Sequence, residues 1–220
     1  MKMLLNNYEN DLIFDGSYVN AIEILNKKAF YKMLSDVNQL NEQDNITFIF
    51  QNEIIDIHDK ITILYDFINF DFNNKKLLNS IINLINENVT DIQREDINKC
   101  YKKVTNIYSK IISNFEVNIK INEEFCIQAI TKLLKPCISL KNSLLDNLLL
   151  LIDIESEFKL SKLLVFVNLK DYLENNELVE LYKYAIYKEI NLLLIDNRQH
   201  ITNKLEKKLL IDEDLIEFVL

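Results

Sequence analysis

A chain of 220 residues, 49% of them apolar, holds enough material for one large domain or two small ones, with a core that excludes disorder. A single Gly and a single Pro argue against an all-β protein built on tight turns. A net charge of -9, taken alone, argues against a nucleic-acid partner.

In chain order, the N-terminal Met1 to Asn7 has no long apolar core and does not read as a signal peptide. Leu12 to Phe14 reads as a short strand closed by the turn dipeptide Asp15-Gly16. Val19 to Leu25 reads as a strand, with Asn26 as N-cap of a helix running through Leu40. Ile46 to Gln51 and Ile61 to Tyr65 are further strands, and the loop Phe70 to Asn73 leads into a helix over Lys75 to Asn88. From Asp91 the pattern changes. Ile97, Tyr101, Val104, Tyr108 and Ile111 line one face of a helix of about six turns, long for a compact domain. Phe115 to Ile121 alternates like a short strand or an extended hinge, and the helix from Glu123 to Leu134 must stop at Pro136. Ser143 to Phe158 is a Leu-dense helix.

The stretch from Lys162 to Asp196 organises the rest. Leu163 to Asn168 and Asn191 to Asp196 are short apolar runs of the kind that form strands buried on both faces. The segment between them places Leu178, Leu181, Tyr182, Ala185 and Ile186 at helical spacing. A βαβ unit follows, and with it a parallel sheet. The expected architecture is an α/β head over residues 1–90 and 160–220, with a helical domain inserted over 91–159.

Several chemistries lack their residues. A phosphate cradle needs Gly so that successive N–H groups can turn toward the anion, and Leu25 to Phe30 has none. Lys27 and Lys28 there read as solvated lysines of a first helical turn. His58 and His200, the only histidines, sit in no catalytic motif. Three cysteines, Cys100, Cys126 and Cys137, have no CxxC spacing, which fits buried thiols in a reduced, cytoplasmic protein. No apolar run is long enough to span a membrane. The triplet Glu157-Phe-Lys159 before a strand leaves a metal-dependent nuclease as a minor alternative to a non-enzyme.

Charge is unevenly spread. Arg94 to Lys141 carries nine basic residues against five acidic ones, an excess of four, so the remainder of the chain stands at -13. Lys99, Lys102, Lys103 and Lys110 fall opposite the apolar face of the long helix, a pattern also met on any solvated helix. A basic surface on an acidic chain binds a polyanion only where several copies converge.

Three segments carry a family likeness: Asp66-Phe-Ile-Asn-Phe-Asp-Phe-Asn73 after a strand, Lys162-Leu-Leu-Val-Phe-Val-Asn168, and Asn191 to Asn197. In order, spacing and total length the chain resembles the short form of the type II-A CRISPR adaptation ring protein of the Csn family. The resemblance implies a degenerate P-loop-ATPase-like head, a helical domain, and a homotetrameric ring whose lysine-lined hole takes free ends of double-stranded DNA regardless of sequence. It implies spacer acquisition beside the CRISPR integrase and the effector nuclease, and no enzymatic activity. It places Lys132 and Lys135 toward the channel, with Lys141, Lys99, Lys102 and Lys103 as further basic candidates. It also implies calcium held near Glu116, Asn122 and Glu123, although Asn118, Lys120 and Asn122 stand where carboxylates are expected and reduce the charge offered to the ion. A helical adaptor that binds other proteins is the alternative from another class.

Overall fold

The computed structural model describes residues 1–38, 45–56, 60–121 and 124–220. By packing, the chain divides into a larger unit, 1–70 with 140–220, and a smaller one, 71–139. The larger unit is built on a six-stranded sheet. Its strands are β3 (Val19–Ile24), β6 (Ile61–Leu64), β7 (Leu163–Val167), β8 (Leu192–Asp196), β9 (Glu206–Ile211) and β10 (Glu217–Val219), ordered β10-β9-β3-β8-β7-β6. Every pairing is parallel except that of β10 with β9. Taken by first appearance, the parallel strands lie in the order fifth, first, fourth, third, second, which is the P-loop-ATPase arrangement. The fold is therefore α/β, as the βαβ pattern indicates.

Why these strands sit centrally is visible in their composition. All five residues of β7 and of β8 are buried, so both faces of the sheet are covered. On one face Ile22, Ile24, Leu163, Val165, Leu193, Ile195, Leu209 and Ile211 join a core with Met33 and Val37 of α1 (Lys27–Asn38). A second, antiparallel sheet closes that core. It comprises β1 (Lys2–Leu5), β2 (Leu12–Ile13), β4 (Ile46–Phe50) and β5 (Glu53–Ile55) in the order β2-β1-β4-β5, and contributes Met3, Leu5 and Phe48. Beside the opposite face lies α6 (Asn175–Tyr187), which buries Leu178, Leu181, Tyr182 and Ala185 and packs against α5 (Leu144–Phe158). Asn26 caps α1 by accepting from the N–H groups of Lys28 at 3.0 Å and Ala29 at 3.1 Å.

The smaller unit holds α2 (Lys75–Glu87), α3 (Asp91–Ile112) and α4 (Ile127–Leu133). Three expectations need correction. The helix drawn from Glu123 begins only at Ile127, because Glu124 to Cys126 are non-helical and Phe125 instead sets its ring edge-on to Tyr101 at 5.7 Å. The helical domain drawn over 91–159 differs from the packed unit 71–139, because α5 packs on α6 and α2 packs on α4. The cysteines are all exposed rather than buried. The alternating segment at 115–121 forms no strand; its described residues are bends and coil. His58 and the end of the first expected helix, at Leu40, lie outside the described residues. No described helix is long and apolar enough to cross a membrane.

Candidate nucleic-acid interface

Helix α3 starts at a capping box. Thr90 accepts from the N–H of Gln93, and the Gln93 side chain accepts from the N–H of Thr90. Twenty-two residues follow without one that is buried. The C-terminal part of its apolar stripe is open, with Val104, Tyr108 and Ile111 each about half exposed, while Ile97 and Tyr101 are partly covered. On the opposite side stand Lys102, Lys103 and Lys110, exposed and without an ion pair among the described residues. Lys99 is different: its ammonium is held by Glu95 at 3.1 Å and Asp96 at 3.2 Å on the same helix.

Helix α4 carries Lys132 in its last turn. Lys135 ends it in the left-handed region, φ +50°, with its N–H donating to the Lys132 carbonyl at 3.1 Å, and Pro136 bars any continuation. Both ammonium groups are exposed and unpaired among the described residues. The backbone around them is held from α2. At the C-terminal end of α2, the Asn86 side-chain Oδ1 accepts from the Thr131 hydroxyl at 2.7 Å, and both side chains are buried. Just before α2, Asn73 makes two bonds to one backbone residue. Its Nδ2 donates to the Ile138 carbonyl at 3.2 Å, and its Oδ1 accepts from the Ile138 N–H at 2.7 Å. Lys141, in the larger unit, is gripped the same way: its N–H donates to Asn147 Oδ1 at 2.8 Å and its carbonyl accepts from Asn147 Nδ2 at 3.2 Å.

Of the residues that the family likeness assigns to calcium, Glu116 is exposed in the segment after α3, while Asn122 and Glu123 lie outside the described residues. Calcium takes six to eight oxygens, and the described part of this segment carries the carboxylates of Glu116 and Glu124, with Lys120 between them in the chain. Among the described residues no group of three His, Cys, Asp or Glu side chains could hold a metal. Glu157 and Lys159 are both exposed at the end of α5.

Sequence reasoning missed a second polar constellation, buried on the α6 side of the parallel sheet. Register places Glu23, Asp196, Glu206 and Lys208 on one face of β3, β8 and β9. Lys170, on a short 3-10 turn after β7, reaches Glu206 at 2.8 Å, Glu23 at 3.0 Å and Asp196 at 3.9 Å. Lys208 pairs with Glu23 at 3.1 Å and donates to the His200 carbonyl at 2.7 Å. The Tyr182 hydroxyl donates to Glu206 at 3.0 Å. Burial works against the Lys170 ammonium, but the carboxylates of Glu206, Glu23 and Asp196 outweigh it and raise its pKa. Burial also lifts the Asp196 carboxyl, to about 7 against the pull of Lys170, and neither of its oxygens closes a hydrogen bond in the described structure. Apart from Asp196 the groups satisfy one another, so the cluster ties α6, the 3-10 turn and three strands together. One signal was in the sequence: Asn20 and Glu23 stand inside a strand whose six residues are all buried.

The head thus has the strand order of a nucleotide-binding protein, but its β3–α1 junction has no glycine cradle, and under α6 Glu23 and Glu206 pair with Lys170 and Lys208. This defines an α/β protein with a P-loop-ATPase-like head, and its smaller unit carries exposed lysines, Lys102, Lys103, Lys110, Lys132 and Lys135, that have no ion pair among the described residues. The family model of the CRISPR-associated protein Cas_Csn2 matches residues 39–215, and the chain belongs to that family. No curated protein matches it. Among solved structures, one similar chain is described as an ABC transporter ATP-binding protein from Pyrococcus furiosus. It is 11% identical, with 94% of this chain and 97% of that chain covered and a TM-score of 0.41.

Proposed function

We propose that this CRISPR-associated protein binds ends of double-stranded DNA, without sequence preference, as a homotetrameric ring that serves spacer acquisition beside the CRISPR integrase and the effector nuclease. One observation carries the reading: in a chain of net charge -9, Lys132 and Lys135 stand exposed and without a carboxylate partner among the described residues. Their chemistry supports sequence-blind contact. A lysine ammonium is a flexible point charge that suits phosphate and reads no base edge. Lys102, Lys103 and Lys141 add to it, whereas Lys99 has its ammonium engaged by Glu95 and Asp96. A single copy repels DNA overall, so binding needs several basic segments brought together. The open part of the α3 stripe supports such association, because an exposed apolar face is costly to leave in water. The same stripe supports the second reading, an adaptor whose α3 docks on a different protein. No step of the proposed function runs through calcium.

The test uses the full chain, a linear duplex and a covalently closed circle in mobility-shift assays at two salt concentrations. Wild type should bind the linear duplex, lose affinity steeply as salt rises, and be competed poorly by the circle. Lys132→Glu with Lys135→Glu should weaken duplex binding by at least about a hundredfold with an unchanged oligomer, since each lysine recurs in every copy. A double variant that binds like the parent sinks this assignment. A circle that competes as well as the linear duplex removes end-loading from it.

A further inference from the structure

We infer that Asn73 and Asn86 are positioning residues for the DNA contact: they make α2 a splint that holds the segment bearing Lys132 and Lys135 at two points. The inference rests on the DNA-binding reading and goes beyond it, because neither asparagine need touch DNA.

The two holds lie at opposite ends of α2. Asn86, in its last turn, takes the Thr131 hydroxyl at 2.7 Å, one residue before Lys132. Asn73, ahead of its N-cap Asn74, takes both backbone groups of Ile138, three residues after Lys135. Lys132 and Lys135 therefore lie between the two holds. The segment needs such help. Helix α4 has seven residues, too few to persist alone, and its N-cap Cys126 makes no side-chain capping bond. Beyond it, Lys135 occupies a left-handed conformation that L-residues adopt at a cost, and 134–139 has no ladder of its own. A side-chain amide suits this hold because it donates and accepts in one plane, so it can close two bonds on one peptide residue. Thr131 is nearly inaccessible at 6% exposure, so its bond is made away from competing water. A loose lysine must be ordered when it meets phosphate; a lysine on a splinted backbone has part of that ordering done beforehand.

The test compares Asn73→Ala, Thr131→Val and Thr131→Ser with the parent and with the Lys132→Glu/Lys135→Glu variant. Each is the full chain, titrated with a blunt linear duplex of arbitrary sequence over a range of salt. Asn73→Ala and Thr131→Val keep every charge, yet each should bind roughly tenfold more weakly and with a shallower salt dependence, as fewer phosphates are met at once. Thr131→Ser, which retains the hydroxyl, should bind like the parent. Amide hydrogen exchange should rise across 132–138 in the two weak variants and stay unchanged over β7 and β8, a pattern that general unfolding would not give. If the lysine variant loses binding while Asn73→Ala and Thr131→Val bind with the parent's affinity and salt dependence, the splint is wrong and the DNA assignment stands. If the lysine variant itself binds normally, the DNA assignment has failed, and the splint with it. Faster exchange over 132–138 with unchanged affinity also overturns the splint, since the lysines then need no fixed backbone.

Discussion

Lys135 is asked to do two things that oppose each other. Its φ of +50° is a conformation that glycine enters freely and lysine does not, at a cost of roughly 1 kcal/mol. Lys135→Gly should therefore raise the melting temperature, by about 2–4 °C if the whole gain is realised, and weaken duplex binding. Lys135→Ala should weaken binding equally with no gain in stability. A destabilised glycine variant would mean that the side chain itself holds the turn. A second residue-scale prediction concerns Asp196. Its folded pKa of about 7 lies above the ordinary carboxylate value, so the folded state holds a proton that the unfolded state releases. Its contribution is complete below about pH 4 and is lost as pH rises through about 7, on the order of 3–4 kcal/mol. His200, held below its ordinary value by burial first of all, acts the other way and costs stability as pH falls below about 6.5. The comparison that isolates Asp196 is denaturant unfolding of the parent and Asp196→Asn from pH 5 to 8. The variant should gain most at pH 8 and little at pH 5; an equal difference at all pH values refutes the proton at Asp196.

Residues were the least legible scale in the sequence. The abundance of asparagine reads as compositional bias, and that reading hid Asn73, Asn86 and Asn147, each of which bonds a specific partner. Nothing in the local sequence separates Asn73 and Asn86 from solvated neighbours, because their bonds depend on partners 65 and 45 residues away. The cysteines are exposed although their number and lack of CxxC spacing fit buried thiols, because neither feature says what covers a residue.

At the scale of elements, the sequence was informative wherever burial was complete. The runs at 163–168 and 191–196 are the adjacent parallel strands β7 and β8, joined by α6 as expected. Strand β9 went unread because Glu-Lys-Lys-Leu-Leu-Ile looks half polar, and its Glu206 and Lys208 are buried only through Lys170, Tyr182 and Glu23. Strand β1 is four residues whose pairing with β2 and β4 no local pattern announces. Helix α3 was predicted with its stripe, and the structure adds that the C-terminal part of the stripe is open. If it joins copies, Tyr108→Asp with Ile111→Asp should lower the mass seen in sedimentation and reduce thiol protection at Cys100, which flanks the stripe. An unchanged assembly would assign the stripe to another partner.

At the scale of the whole molecule, composition gave the class and nearly misdirected the function. A net charge of -9 points away from DNA, and only the local excess of four positive charges over Arg94 to Lys141 points back. An acidic chain gains from DNA only when copies assemble, so assembly and binding stand or fall together in this account. The most direct measurement is therefore the native mass of the full chain, at micromolar concentration, alone and with one linear duplex. The account predicts a mass of four chains in both samples, raised in the second by a single duplex and unchanged by an equimolar closed circle. A mass of one chain in both, with no duplex retained, would contradict it.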